Sequence, residues 1–201
     1  MHTATDIFDP ALYAATRLPR EQAETLPYPV YTDQAWFERE METVFRPAWH
    51  FAGLASSIPD SGDFRTLRLL DEPLLIVRGD DQQVRGVPQL LPSPRLALPL
   101  PLLDLQSGRG VMWWIHKIPD SPTRTRVRVG YCFPASTIER PDFDEVSERY
   151  FQRLDQVIEE DDWITEHQQQ GLHRSAPGSY LPEEHVVHRL DNWILDQVLG
   201  A

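Results

Sequence analysis

The stretch Phe151–Leu172, FQRLDQVIEEDDWITEHQQQGL, constrains the fold of this chain more than any other. Stepped at roughly 100° per residue, the α-helical angle, Val146, Tyr150, Leu154, Val157, Ile158 and Ile164 fall on one stripe. A helix with such a stripe must lay it against another layer of structure. Asp161 falls in the middle of the stripe, while Glu159, Glu160 and Glu166 point away from it. An ionised carboxylate at a core position is costly unless it is paired or bound to a metal. Periodicity therefore leaves three roles open for Asp161: a metal ligand, a partner of a buried arginine, or a residue at the wet edge of a slightly rotated helix.

The chain before this helix reads in short elements. Residues 1–26 are expected to be poorly ordered, with a short helix at Pro10–Arg17. Thr32 or Asp33 can cap a helix running to about Phe45, burying Trp36, Phe37, Met41, Val44 and Phe45, and Pro47 ends it. Trp49–Ala52, Asp63–Leu70, Pro73–Arg78 and Gln83–Val87 read as strands, with turn residues at Asp71-Glu72-Pro73 and Gly79-Asp80-Asp81. Val87–Gly110 is rich in Leu and Pro, without alternation or helical period, and reads as a linker. Val111–His116 and Arg124–Phe133 read as antiparallel strands joined through Ile118–Pro122, followed by a loop over Pro134–Asp144.

After Gly171, which ends or bends the long helix, Ser175–Ser179 reads as a loop and Pro182–Leu199 as a final helix. Val186, Val187, Leu190, Trp193, Ile194 and Val198 are its expected apolar stripe. His185 and His188 lie three apart on that helix and read as a solvated face rather than a metal pair. His50 is expected to be structural, and His167 points away from Asp161 by the helical angle. His173 follows the same Gln-rich run.

Glu160-Asp161, Glu166 and Gln169-Gln170-Gly171-Leu172 resemble the C-terminal helix of Rieske-type non-haem iron aromatic ring-hydroxylating oxygenases, large (α) subunit. The flanks GVMWWIHKIPDSPTRTRVRVGYCF and PGSYLPEEHVVHRLDNWILDQVL resemble the end of the same subunit. Independently, LPYPVYTDQAWFEREMETVFRPAWHFAGLASSIPDSGDFRTLRLLDEPLLIVRGDDQQVRGV resembles the segment that leads into its Rieske domain. The resemblance implies an α+β fold: a remnant of the Rieske-domain β-strands plus the C-terminal strands and helices of the catalytic, helix-grip-like domain. It implies an N-terminal stretch over 1–26, a helix and partial Rieske sheet over 27–87, a junction over 88–110, and the end of the catalytic domain over 111–201. By resemblance Asp161 is the carboxylate of a two-His, one-carboxylate iron site, with Asp162 as the register-slip alternative.

The intact family takes electrons from NAD(P)H through a reductase, passes them from a [2Fe–2S] cluster to mononuclear Fe(II), and hydroxylates aromatic or quaternary-amine substrates. A Rieske cluster needs two Cys and two His. This chain has one cysteine, Cys132, and the family's helical stretch bearing both iron histidines has no counterpart between the two matching parts. No cofactor is therefore expected to bind, no catalytic residue is assigned, and oxygenase activity is expected to be lacking. The junction suggests how the ligands went. Leu98-Pro99-Leu100-Pro101, written in suitable codons and read one base out of frame, yields Cys-Pro-Tyr-His, and Leu103–Arg109 yields Trp-Thr-Tyr-Ser-Leu-Asp-Gly. Leu91–Pro94 can hide Cys-Arg-His-Arg in the same way, while Leu102 cannot supply the family's glycine. A frameshift with a deletion accounts for these coincidences.

A formal net charge of -12 argues against nucleic acid and against an anionic membrane surface. One cysteine excludes an internal disulfide and fits a reducing cytosol, and the opening residues MHTATDIFDP lack a secretory signal, so a cytoplasmic location is expected. Family-type partners would be α-subunit copies and a reductase. Two other functions stay open: a cofactor-free module binding a small apolar ligand, and an interaction partner of a full-length α subunit.

Overall fold

The computed structural model describes residues 6–70, 72–88, 103–108, 111–172 and 176–200. Among them the fold is α+β: two separate three-stranded antiparallel sheets and four α-helices, with the N-terminal segment packed against the last helix.

Residues 6–26 do not form the poorly ordered terminus expected of them. Asp9 caps a 3-10 helix at Pro10–Tyr13 by accepting from the Ala11 amide, and Tyr13, Thr16, Ala23 and Leu26 are buried. Asp33 then caps α1 (Gln34–Glu40), its side chain accepting from the Trp36 amide at 2.9 Å, as the sequence predicts. The helix widens into a π-type turn at Met41–Phe45 before Pro47. Trp36 is 0% exposed, stacked on Phe8 and tilted against Tyr13 with centroids 5.8 and 5.4 Å away.

Trp49–Ala52 is not a strand. Pro47 on one side and Gly53, with φ at +131°, on the other break the extended run. His50 instead donates from Nε2 to the Phe45 carbonyl at 2.8 Å, and Phe51 packs on Trp114. The first sheet follows the predicted strands: β1 (Phe64–Leu69), β2 (Glu72–Arg78) and β3 (Val84–Pro88), in the order β1-β2-β3, with Leu74 and Ile76 buried on its core face.

The junction is mostly outside the described residues, so the hidden-motif positions 91–94 and 98–101 have no structural account. Its end, however, forms β4 (Leu103–Gly108), which pairs antiparallel with β5 (Val111–Ser121), and β5 with β6 (Arg124–Cys132). β5 runs through the expected connection, helped by an irregularity between Pro119 and Ser121. Trp114 lies across Gly130 on the neighbouring strand, where any Cβ would collide with the indole ring. The predicted loop after β6 contains a short helix α2 (Ala135–Ile138), and then α3 (Phe143–Gly171) and α4 (His185–Leu199) follow.

On α4 the apolar pattern holds for Val198, which is buried, and for Leu190 and Ile194, which are half-buried, but not for the rest of the stripe. Val186, Val187 and Trp193 are exposed, whereas Asp191, Leu195 and Val198 are buried. Polar pins set the rotation. Tyr180 donates to Asp191 Oδ2 at 2.6 Å in the interior, His188 Nε2 and Asn192 Nδ2 both donate to the Thr16 carbonyl, and Arg17 pairs with Asp196 at 2.6 Å. His188 is thus half-buried against Tyr180, not solvated, while His185 is exposed. The turned helix delivers Leu195 and Val198 into one cluster with Tyr13, Leu26, Val30, Trp36 and Val44.

Leu195 is 0% exposed at the centre of that cluster. Leu195→Ala is expected to lower the free energy of unfolding by about 2–5 kcal/mol, the usual cost of deleting a fully buried leucine. Urea denaturation followed by circular dichroism measures it. A loss below about 1 kcal/mol would mean that the two chain ends do not share a core.

Candidate functional site

α3 begins with Asp144 and Glu145 in its first turn, where carboxylates favour the helix dipole. Side-chain pairs four apart, Glu145–Arg149 and Glu148–Gln152, support it. Its first half is fixed on β6. The Phe151 ring sits 4.8 Å from Tyr131, Phe133 meets Phe143, Tyr150 and Phe151 edge-on, and Tyr131 donates to Asp155 Oδ1 at 2.6 Å. Burial, then that hydrogen bond and the Asp155 charge, push the Tyr131 phenol well above its ordinary range.

Beyond Asp155 the helix does not find the apolar layer that its stripe demands. Val146, Tyr150, Leu154 and Ile158 are half-buried, but Val157 and Ile164 are exposed. Asp161 and Asp162 are exposed as well, so Asp161 is not a carboxylate inside an apolar core. Thr165 donates its hydroxyl to the Asp161 carbonyl at 2.8 Å, a local helix contact.

The far end of α3 meets the N-terminal segment instead. Gln169 Nε2 donates to the Tyr31 carbonyl at 3.2 Å. Between them lies a cavity of about 340 Å³, lined by Thr25, Leu26, Tyr28, Tyr31, Thr165, Gln168, Gln169, Leu172, Ala176 and Pro177. Its volume falls at the low end of the range typical of small-molecule sites, about 300–1,000 Å³. Thr165, Gln168 and Leu172 follow Asp161 by four, seven and eleven residues, so they continue the same face of the helix. Among the described residues that line it none is ionised; two phenols, a pair of carboxamides and two threonine hydroxyls supply their polarity. Burial, with the charges of Asp191 and Glu40, pushes Tyr31 up to about 12, so it is a neutral donor at physiological pH.

Metal-binding chemistry is poorly served. Among the described residues no group of three or more His, Cys, Asp or Glu could hold a metal ion. His167 turns to its own helix, its Nδ1 donating to the Trp163 carbonyl at 2.7 Å, and His173 lies outside the described residues. Cys132 is half-buried on β6 opposite Met112. A lone thiol and a lone exposed carboxylate fit neither a [2Fe–2S] cluster nor a facial iron triad.

Sequence reasoning passed over one titratable group, which lies near His50. His116 is buried on β5, and burial, with Arg128 and His50 nearby, lowers its pKa to about 4. His50 is also lowered by burial, and its Nδ1 is buried without a hydrogen-bond partner. Alternation along Trp114, His116 and Ile118 was the available signal, since His116 shares the face of the buried Ile118.

Residues 102–200 match the family model described as ring hydroxylating alpha subunit, catalytic domain. The chain is 37% identical over 83 residues to the glycine betaine monooxygenase oxygenase subunit of Pseudomonas aeruginosa, a match covering 40% of this chain and 19% of that protein. It is 33% identical over 79 residues to the anthranilate 1,2-dioxygenase large subunit of Burkholderia cepacia, covering 36% and 19%. It therefore spans about a fifth of the length of these curated relatives. In fold it matches the apo form of a quaternary ammonium Rieske monooxygenase, with a TM-score of 0.62 at 13% identity, over 90% of this chain and 98% of that one. Residues 102–200 are thus similar to the catalytic domain of ring-hydroxylating oxygenase α subunits.

Glu40, whose carboxylate accepts from the Trp36 indole at 3.0 Å, is raised by burial to about 7 from 4.5. Its folded pKa is above the unfolded one, so its contribution to stability is complete below pH 4.5 and is lost as pH rises through 7. Asp191, also raised by burial, acts in the same direction. Glu40→Gln keeps the acceptor for Trp36 and removes the titration. Melting temperatures of the variant should fall less between about pH 4.5 and 8 than those of the parent chain, and parallel curves would refute this.

Proposed function

We propose that this chain descends from a Rieske-type oxygenase α subunit by internal loss and has no oxygenase turnover of its own. The single cysteine carries the proposal, because a Rieske cluster requires two. The parts are proposed as a partial Rieske-domain sheet over 27–87, a junction over 88–110 and the end of the catalytic domain over 111–201, a division that the two unconnected sheets support. Asp161, with Asp162 as its alternative, is the one family iron position that this chain keeps. Without imidazoles beside it, that carboxylate does not make a usable iron site.

The test is direct. The purified chain is loaded with Fe(II), then supplied with NADH, a Rieske-type reductase, oxygen and, in turn, glycine betaine and anthranilate. No hydroxylated product is expected, and iron retained after desalting should be the same for the parent chain and Asp161→Ala. Product formation coupled to NADH consumption would overturn the proposal. Translating the coding DNA across codons 80–115 in all three frames tests the internal loss: the two hidden cluster motifs are expected in a shifted frame.

The cavity between Tyr31 and α3 favours a second function, the binding of a small apolar ligand without any cofactor. Uncharged described lining residues with aromatic walls suit a molecule that hydrogen-bonds at a few points and buries the rest. Thermal shift against a panel of aromatic acids and quaternary amines should give at least one stabilising ligand, and Gln168→Trp, which fills the cavity, should abolish the shift. A flat response across the panel would remove this function.

A further inference from the structure

Two histidines come together where the segment after α1 meets the second sheet. His116 is 4% exposed on β5, on the face that also carries Trp114 and Ile118. Phe51, next to His50 in the chain, lies edge-on to the His116 ring with centroids 6.2 Å apart, and tilts against Trp114 at 4.8 Å. The His50 ring is close enough for its charge to act on His116. Two imidazoles and two aromatic rings therefore share one place. Among the described residues neither histidine is paired with an acid, and the His116 imidazole makes no hydrogen bond.

The hydrogen bonding of His50 decides which of its nitrogens is free. A carbonyl oxygen only accepts, so the Nε2 that bonds Phe45 carries the proton and Nδ1 holds a lone pair. That Nδ1 is buried without a partner, a state that costs stability unless something takes the lone pair. Imidazoles that ligate a metal characteristically give their other N–H to a backbone carbonyl or a carboxylate, which is the arrangement of His50. Burial lowers His50 and takes His116 down to about 4, so both rings are in the neutral, ligating form at physiological pH.

The surroundings choose the cation. Two side chains cannot complete the four-coordinate shell that Zn(II) takes, and Arg128, cross-strand from His116, weighs against a double charge. Cu(I) is monovalent, accepts imidazole nitrogen and is satisfied by two ligands in line. Phe51 and Trp114 limit water at the site and offer ring faces to a cation. We propose that His50, through Nδ1, and His116 form a two-imidazole site for Cu(I) that ties the segment after α1 to β5. It uses neither Asp161 nor the cluster motifs, so it is independent of the fate of the oxygenase chemistry. Cys132, the obvious soft ligand in the sequence, stands opposite Met112, four residues along β5 from His116 and about 13 Å away at the usual strand rise, and takes no part.

Anaerobic titration of the full chain with Cu(I), against a chromogenic chelator, tests this. One cation per chain is expected, and X-ray absorption should show two nitrogen neighbours and no sulfur. His50→Phe and His116→Phe should each weaken binding by roughly tenfold or more, with unchanged far-ultraviolet circular dichroism, whereas Cys132→Ser should bind as the parent does. Ag(I), a soft cation without redox chemistry here, should raise the melting temperature of the parent and not that of His50→Phe. If either histidine variant folds poorly, the absorption spectrum of the parent decides alone. Failure of the parent to hold Cu(I) overturns the proposal. So do sulfur neighbours in the spectrum, binding that survives both histidine variants, and binding that disappears in Cys132→Ser.

Discussion

The structure depends on a contact between its two ends. Leu195 and Val198 of α4 join Tyr13, Leu26, Val30, Trp36 and Val44 of the N-terminal segment in one buried cluster. Hydrophobic burial supplies most of the attraction, but it does not choose the angle of the last helix. The choice falls to buried polar groups. Asp191 accepts from Tyr180, and the Thr16 carbonyl takes donors from both His188 and Asn192. Leaving any of these unpaired in the interior costs more than the bond itself returns, so the polar set acts as a register mark.

That mark explains where the sequence was legible and where it was not. Local rules narrowed the cap of α1 to Thr32 or Asp33 and identified the three strands of the first sheet, the β5–β6 pair and the long helix, because each depends on neighbours in sequence. They missed the rotation of α4, because a hydrophobic pattern gives no weight to Asp191 or His188 as interior residues. They missed the order in residues 6–26, because the surface that orders Tyr13 and Thr16 is contributed from the far end of the chain. β4 went unread, since its partner β5 and not its own alternation makes it a strand.

The α3 pattern is that of a helix made to lie on a broad sheet, and the apolar positions at Val157 and Ile164 remain in the sequence although nothing described covers them. In the proposed descent Asp161 keeps the motif's carboxylate position, while iron binding there needs donors from other segments. Motif and site are separable: the first is carried by one helix, the second by the convergence of several. The candidate cavity arises from a different convergence, between the end of α3 and the segment around Tyr31, and the motif gives no sign of it.

Trp36 and Leu195 stand about 160 residues apart in sequence, yet each is fully buried against a common cluster. During synthesis the segment around Trp36 therefore emerges with its aromatic side chains facing water and waits for about 160 further residues before its counterpart arrives. The two sheets, built from neighbouring hairpins, can form meanwhile. A growing chain of this design exposes its stickiest surface longest, so its yield in a cell is set by how that interval is shielded as well as by the stability of the finished fold.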